Sequence, residues 1–284
     1  MPSLADIPRG TPASWSSGPR SSPSIRSIVT AGLYSEQRRS AAPRTDTCGE
    51  RCGVPGMKPE EQKKIVREGY DRLSRDYRAD DTPDDYESYA EWVRLLSDRL
   101  PDGAPVLDIG CGCGVPATRL LAERFDVTGI DFSAVQIRRA KSLVPSATFL
   151  WSDIAALSFE PGAFAAVVSF YAIIHMPLEE HAELLARIAS WLRPAGYLLA
   201  TVGHRAWSGT EEAYLGVAGG RMCWSHADEA TYVRWSEDAG LRVRWTRFVP
   251  EGDSGHTLVF AQKPPIGEPP SAPPRVLSMR CRRR

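Results

Sequence analysis

The stretch VLDIGCGCGVPATRLLA, residues 106–122, constrains this chain more than any other. A short apolar run (Val106, Leu107, Ile109) reads as a buried strand. It meets three glycines in five residues (Gly110, Gly112, Gly114) and passes into a helix through Leu120 and Leu121. Such a turn leaves backbone N–H groups and a helix N-terminus facing a space free of Cβ atoms, which suits a small, partly anionic ligand.

The same unit then repeats. Phe125–Ile130 reads as a strand ending at Asp131, after which Ser133 caps a helix through Leu143. Ala147–Trp151 is a third strand, ending near Asp153. Phe164–Tyr171 is a fourth, apolar enough to be buried on both faces. A helix over Leu178–Leu192 and a fifth strand over Tyr197–Val202 follow. The last third changes character: Leu241–Val249 alternates, and a turn at 251–255 leads into His256–Ala261, a pair that a short turn forces antiparallel. The expected fold is therefore α/β, a Rossmann-like doubly wound sheet of five parallel strands plus a C-terminal antiparallel hairpin, with helices on both faces.

Composition sets the limits. Of the 284 residues 42% are apolar, enough for a sizeable core, and no apolar run approaches the ~20 residues of a membrane span. Lys plus Arg equals Asp plus Glu, but the ends are basic. Residues 1–56 carry seven arginines against four acids, and residues 264–284 carry five against one, so the body between has a net charge of −7. An acidic body argues against nucleic acid as partner. Residues 1–56 are rich in Ser, Pro, Gly and Arg and are read as a disordered extension upstream of a domain that starts at Met57. The proline-rich stretch from 264 is read as a disordered basic tail. Cys48 and Cys52 have the wrong spacing for a zinc knuckle and lack a second pair, so no metal is expected. Cys111, Cys113, Cys223 and Cys281 complete the six cysteines, read as free thiols of a cytoplasmic protein, monomer or homodimer.

The chemistry falls at the carboxyl ends of the strands, where open α/β sheets bind ligands. Asp131, about twenty residues past the glycine turn, can accept both hydroxyls of a ribose. Asp108, directly before the glycines, would repel a pyrophosphate and attract an ammonium. A glycine turn alone also serves dehydrogenases, but a nucleoside joined to an amino acid satisfies both acids. Upstream, Val66, Tyr70, Leu73 and Tyr77 form one face of an amphipathic helix, followed by a second helix over Tyr86–Leu100. The tyrosines are either core edge or a lid whose hydroxyls reach a ligand. His175, just past the fourth strand, is the best-placed general base, with helix capping or substrate anchoring as the alternative. Residues 203–235 are dense in aromatics, including Trp207, Tyr214, Trp224 and Tyr232, and Ser225 with Asp228 resembles a capping box that leaves Trp224 facing the cleft.

Together VLDIGCGCG (106–114), GIDFS (129–133), SDI (152–154), AAVVSFYAIIHM (165–176) and LRPAGYLLA (192–200) resemble a class I S-adenosylmethionine-dependent methyltransferase of the small-molecule type, from about Lys58 to Lys263. The resemblance implies S-adenosylmethionine as cofactor, a small-molecule acceptor, and no nucleic acid or membrane partner. It sets Asp108 and Gly110 along the methionine moiety, Asp131 at the ribose and Phe132 beside the adenine, with Cys111, Gly112 and Ser133 among the cofactor-binding residues. Asp153 and Ile154 read the adenine, and Ser169 and Tyr171 line the sulfonium, with Tyr77 beside the cofactor. Tyr171 joins His175 as a catalytic candidate; Tyr70, Trp207 and Trp224 are acceptor-binding candidates, in lid elements 58–100 and 203–240. Cys113 and Val115 stand where smaller residues are common. The alternatives are an enzyme that spends the sulfonium otherwise, as in cyclisation releasing methylthioadenosine, and a non-catalytic binding protein.

Overall fold

The computed structural model describes residues 56–81 and 86–267; Cys48, Cys52, Cys281 and nearly all of both basic ends lie outside the described residues. Among the described residues nine strands and six α-helices follow in order: α1 Pro59–Tyr77, α2 Tyr86–Ser97, β1 Pro105–Ile109, α3 Ala117–Leu121, β2 Asp126–Asp131, α4 Ala134–Leu143, β3 Thr148–Trp151, β4 Phe164–Ser169, α5 His181–Trp191, β5 Leu192–Gly203, β6 Trp207–Glu211, β7 Met222–His226, α6 Glu229–Asp238, β8 Arg242–Glu251 and β9 Ser254–Gln262. The main sheet has the order β3-β2-β1-β4-β5-β9-β8. Its first five strands are parallel, and β9 pairs antiparallel with both β5 and β8. The expected five-plus-hairpin sheet is what forms.

Alternation along the strands builds two cores. Leu107 and Ile109 of β1, with Leu198, Ala200 and Val202 of β5, face α5 and α6, where Ile188 and Tyr232 meet them. Val106, Val168 and Leu199 point the other way, onto Trp92 and Leu96 of α2 and Leu121 of α3. A strand buried on both faces must be apolar nearly throughout, as β4 is up to its terminal Ser169. β4 stops at Ser169, two residues short of the expected end, because Tyr171 takes a left-handed φ of 59°.

A second, two-stranded sheet pairs β6 with β7, from Trp207↔His226 to Glu211↔Met222. This corrects the expected capping box. Ser225 lies buried inside β7, and the N-cap of α6 is Asp228, whose Oδ1 accepts the Thr231 N–H at 2.9 Å. Cross-strand pairing of alternate residues thus claims the serine that the local pattern gave to a helix.

Helix α1 packs on this small sheet rather than on the main one. Val66 and Leu73 meet Tyr214, Met222, Cys223 and Trp224. Gly69 allows the close approach, since a Cβ there would stand 2.5 Å from the Arg221 carbonyl oxygen. The polar side of α1 is stitched to α4. Asp71 Oδ1 accepts from the Ser133 hydroxyl at 2.6 Å and from the Val135 N–H. Arg139, buried, donates to the Ser74 hydroxyl and carbonyl, the Arg78 carbonyl and Asp80. α1 and the β6–β7 sheet form a roof over the carboxyl ends of the parallel strands, while α2 belongs to the core.

Arg139→Ala leaves two buried carbonyls without their donor. The expected cost is about 2–3 kcal/mol, or a Tm lowered by about 5–10 °C for a domain of this size, read by thermal denaturation.

Candidate active site

A cleft lies under the roof, at the switch point between β1 and β4 where the strand order reverses. It encloses about 750 Å³, part of it open to solvent, within the range of small-molecule sites. Its walls include Tyr70, Tyr77, Gly110, Gly112, Asp131, Phe132, Asp153, Ile154, Tyr171 and His175, all singled out from the sequence. A second lobe of about 400 Å³ continues past the glycine turn; Tyr77, Gly110, Gly112 and Phe170 border both, and Asp108 and Cys111 line only the second.

Asp131 is fixed by two backbone donors: the Ser133 N–H reaches Oδ1 at 2.8 Å and the Gly112 N–H reaches Oδ2 at 3.0 Å. Gly112, at φ 55°, presents open space where a side chain would stand, so its N–H can face the acid. Each carboxylate oxygen keeps a lone pair for a further donor, so a vicinal diol fits. Asp108 is buried, and its Oδ2 accepts the Thr118 hydroxyl at 2.6 Å. Burial raises its pKa to about 7, against the pull of Thr118 and with the Asp131 charge adding to the rise. Burial likewise raises Asp131 to about 6, against the backbone N–H groups of Ser133 and Gly112. Two acids desolvated in this way favour a ligand that brings donors to one and a positive charge to the other.

His175 differs from the expected base. Its Nδ1 lies 2.7 Å from the Cys223 carbonyl, which accepts only from Nδ1–H, so Nε2 carries the lone pair that takes the Tyr70 hydroxyl at 3.0 Å. Burial lowers its pKa to about 4. The ring is neutral, with both nitrogens engaged. Tyr70, which the sequence assigned to the acceptor, is fixed by His175 on one side and packs edge-on against Tyr77 on the other.

Four expected site residues do not reach the cleft. Ser169 is buried in β4 and donates to the Ile109 carbonyl, tying two strands together. Ser133 caps α4, accepting from the Gln136 N–H. Trp224 is buried in the roof against His175, Tyr214 and Trp207, and Trp207 packs between Trp224 and His226. These rings support the wall from behind. Conversely, Lys63, Gln136 and Met176 line the cleft and Arg78 the second lobe, none of them expected. Lys63 bridges Asp153 at 2.9 Å and Glu180 at 2.7 Å, closing the roof over the β3 end. It sits one turn before Val66 on a helix already read as amphipathic, but a lysine there reads as solvent-facing until the partner acids are placed.

Comparison with known proteins agrees with this geometry. A family model described as "Methyltransferase domain" matches residues 106–196. The 2-methyl-6-phytyl-1,4-hydroquinone methyltransferase of Synechocystis is 41% identical over 115 residues, covering 39% of this chain and 35% of that protein. Trans-aconitate 2-methyltransferase of Azoarcus is 31% identical over 186 residues, covering 55% of this chain and 72% of that protein. The chain belongs to the class I S-adenosylmethionine-dependent methyltransferases. Its match thus spans about a third of the cyanobacterial relative's length and nearly three quarters of the Azoarcus one. Among solved structures, a Burkholderia thailandensis 1,6-didemethyltoxoflavin-N1-methyltransferase superposes with a TM-score of 0.58 at 19% identity, covering 74% of this chain and 92% of that one. The [4+2]-cyclase SpnF superposes at 0.56 and 19%, covering 76% and 100%. At such identities the two show the shared fold. Membership makes S-adenosylmethionine the cofactor, and its two ends suit what the two lobes offer. No helix among the described residues is long and apolar enough to cross a membrane.

The raised carboxyl pKa values carry a sign. Asp108 titrates in the folded chain well above its ordinary 3.8, so the stability tied to its protonation is complete below about pH 4 and lost as the pH rises through about 7. The buried histidines 175, 181 and 226, each lowered to about 4, act oppositely below their ordinary 6.5. A difference measurement isolates the acid: the Tm advantage of Asp108→Asn over the unmodified, cofactor-free protein grows from pH 5 to pH 8.

Proposed function

We propose that this chain transfers a methyl group from S-adenosylmethionine to a small-molecule acceptor. The observation that carries the reading is the two-lobed cleft, with one buried carboxylate at each side of a glycine turn. In this reading Asp131 accepts the ribose hydroxyls, and Phe132, Asp153 and Ile154 border the adenine. Asp108 faces the ammonium of the methionine end across Gly110, Cys111 and Gly112, and Arg78 supplies the cation for its carboxylate. The bound cofactor supplies a methyl activated by its sulfonium. The protein's share is to hold the nucleophile in line and keep water out, and orientation of this kind is worth on the order of 7–11 kcal/mol.

Tyr70, Tyr77, Tyr171 and Met176, with the neutral His175, give the cleft an aromatic and weakly polar wall. Its lysine, Lys63, is already held by Asp153 and Glu180. Such a wall supports a flat, uncharged acceptor, nearer in chemistry to the hydroquinone named for the Synechocystis relative than to the tricarboxylate of the Azoarcus one.

Calorimetry with S-adenosylhomocysteine tests the site: Asp131→Ala is expected to abolish the binding that the unmodified chain shows, and undiminished binding would sink the assignment. In an acceptor screen the nucleoside product is S-adenosylhomocysteine; methylthioadenosine in its place would mean that the sulfonium is spent on cyclisation instead.

A further inference from the structure

One wall of the cleft has a hydrogen-bond direction that is set from behind. The Cys223 carbonyl of β7 is an acceptor only, and it lies 2.7 Å from His175 Nδ1, so that nitrogen carries the hydrogen of the neutral ring. Nε2 is left as an acceptor, and the Tyr70 hydroxyl at 3.0 Å is its donor. The histidine is held in this setting. Gln62 of α1 donates to the His175 carbonyl at 3.1 Å, and Tyr70 and Trp224 pack against the ring with centroids 5.5 and 5.3 Å away. Burial keeps the Tyr70 phenol protonated, raising its pKa well above 10. Turning its hydrogen into the cleft would leave a buried nitrogen without a donor, which is costly.

The Tyr70 hydrogen is therefore spent, and the side chain meets a ligand with oxygen alone. The Tyr77 ring packs edge-on against it, with centroids 5.3 Å apart, and even a hydrogen bond from the Tyr77 hydroxyl takes only one of the oxygen's two lone pairs. Tyr70 and His175 both line the cleft, and Tyr77 borders both lobes. Lys63, in the same wall, is held by Asp153 and Glu180. An anionic nucleophile thus finds neither a hydrogen at Tyr70 nor a free cation at Lys63.

We propose that Tyr70 selects the acceptor by accepting a hydrogen bond from its reacting atom, which confines the chain to neutral hydroxyl or N–H compounds. This rests on the methyltransferase reading above, in which the cofactor spans both lobes and its sulfonium lies at their border, beside Tyr77. Tyr70 is then one ring away from the reacting centre. A nucleophile that gives its hydrogen to Tyr70 keeps a lone pair for the methyl carbon. A thiolate or a quinone oxygen in its place sets lone pair against lone pair, and an acceptor facing an acceptor loses binding. The ether formed from a hydroxyl no longer has that hydrogen and is held more weakly than its precursor.

The test measures binding, by equilibrium dialysis with saturating S-adenosylhomocysteine, of three probes of one shape: 1-naphthol, 1-naphthylamine and 1-fluoronaphthalene. The fluorine has lone pairs where the hydroxyl stands and no hydrogen to give, and the first two probes separate an O–H donor from an N–H donor. For at least one of those two, the affinity relative to the fluoro probe is expected to fall about tenfold in Tyr70→Phe, which removes the hydroxyl alone. A merely structural role weakens all three probes alike and leaves both ratios where they were, and that result overturns the proposal. So does a chain that binds S-adenosylhomocysteine and none of the probes. An arm independent of any acceptor is nitrogen-15 NMR of the labelled His175 ring: hydrogen on Nδ1, and a bare Nε2 whose signal moves in Tyr70→Phe. A hydrogen on Nε2, or an unmoved signal, also overturns it. If the unmodified chain fails to bind S-adenosylhomocysteine, it is the cofactor reading that fails.

Discussion

The structure turns on one carboxylate held by two backbone donors. Asp131 receives the Ser133 N–H and the Gly112 N–H, and so ties the end of β2 to the glycine turn after β1. With neutral residues there, the turn would lose its partner and the two lobes of the cleft would lose their common border at Gly110 and Gly112. The same acid is buried deeply enough to ionise reluctantly, so it gains from any ligand that brings it donors. In the proposed reading, the structural and binding roles fall to different lone pairs of one side chain.

Around that centre the roof is built from sequence-distant parts. Helix α1 comes from the start of the domain, and the β6–β7 sheet from two thirds along the chain; their joint core of Val66, Leu73, Tyr214, Met222 and Trp224 buries neither against the main sheet. Ile174, Phe132 and Tyr171, just past the ends of the parallel strands, join that core and seat the roof by apolar contact. Lys63, Asp71 and Arg139 add polar ties at its two ends.

Much of the fold was legible because it rests on periodicity. Runs such as 164–168 are apolar at every position, and a strand covered on both faces explains that. The glycine turn and the two acids were legible because their spacing follows from one βα unit. What was not legible depended on pairing across long distances. Ser225 carries a good local capping pattern, yet its fate was settled by Ser208 and the rest of β6 seventeen residues upstream. Trp224 and Trp207 are aromatic enough for a binding wall, and only the tertiary position of α1 shows that they stand behind it. His175 has the right place for a base, but the Cys223 carbonyl, 48 residues on, determines its tautomer. Sequence gives residue type and local spacing; protonation and orientation are properties of neighbours.

One feature at the far side of the molecule acts on the chain's behaviour in company. β8 is one of the two edge strands of the main sheet and pairs only with β9 among the described strands, so half of its backbone groups face outward. A bare edge of this length is a template for a neighbouring chain. This one carries Arg242, Arg244 and Arg247 at alternating and near-alternating positions and Pro250 near its end. Like charges brought into register repel, and the proline offers no N–H to a ladder. The edge is thereby protected against open-ended stacking between copies, so this long bare strand need not become the start of a fibre.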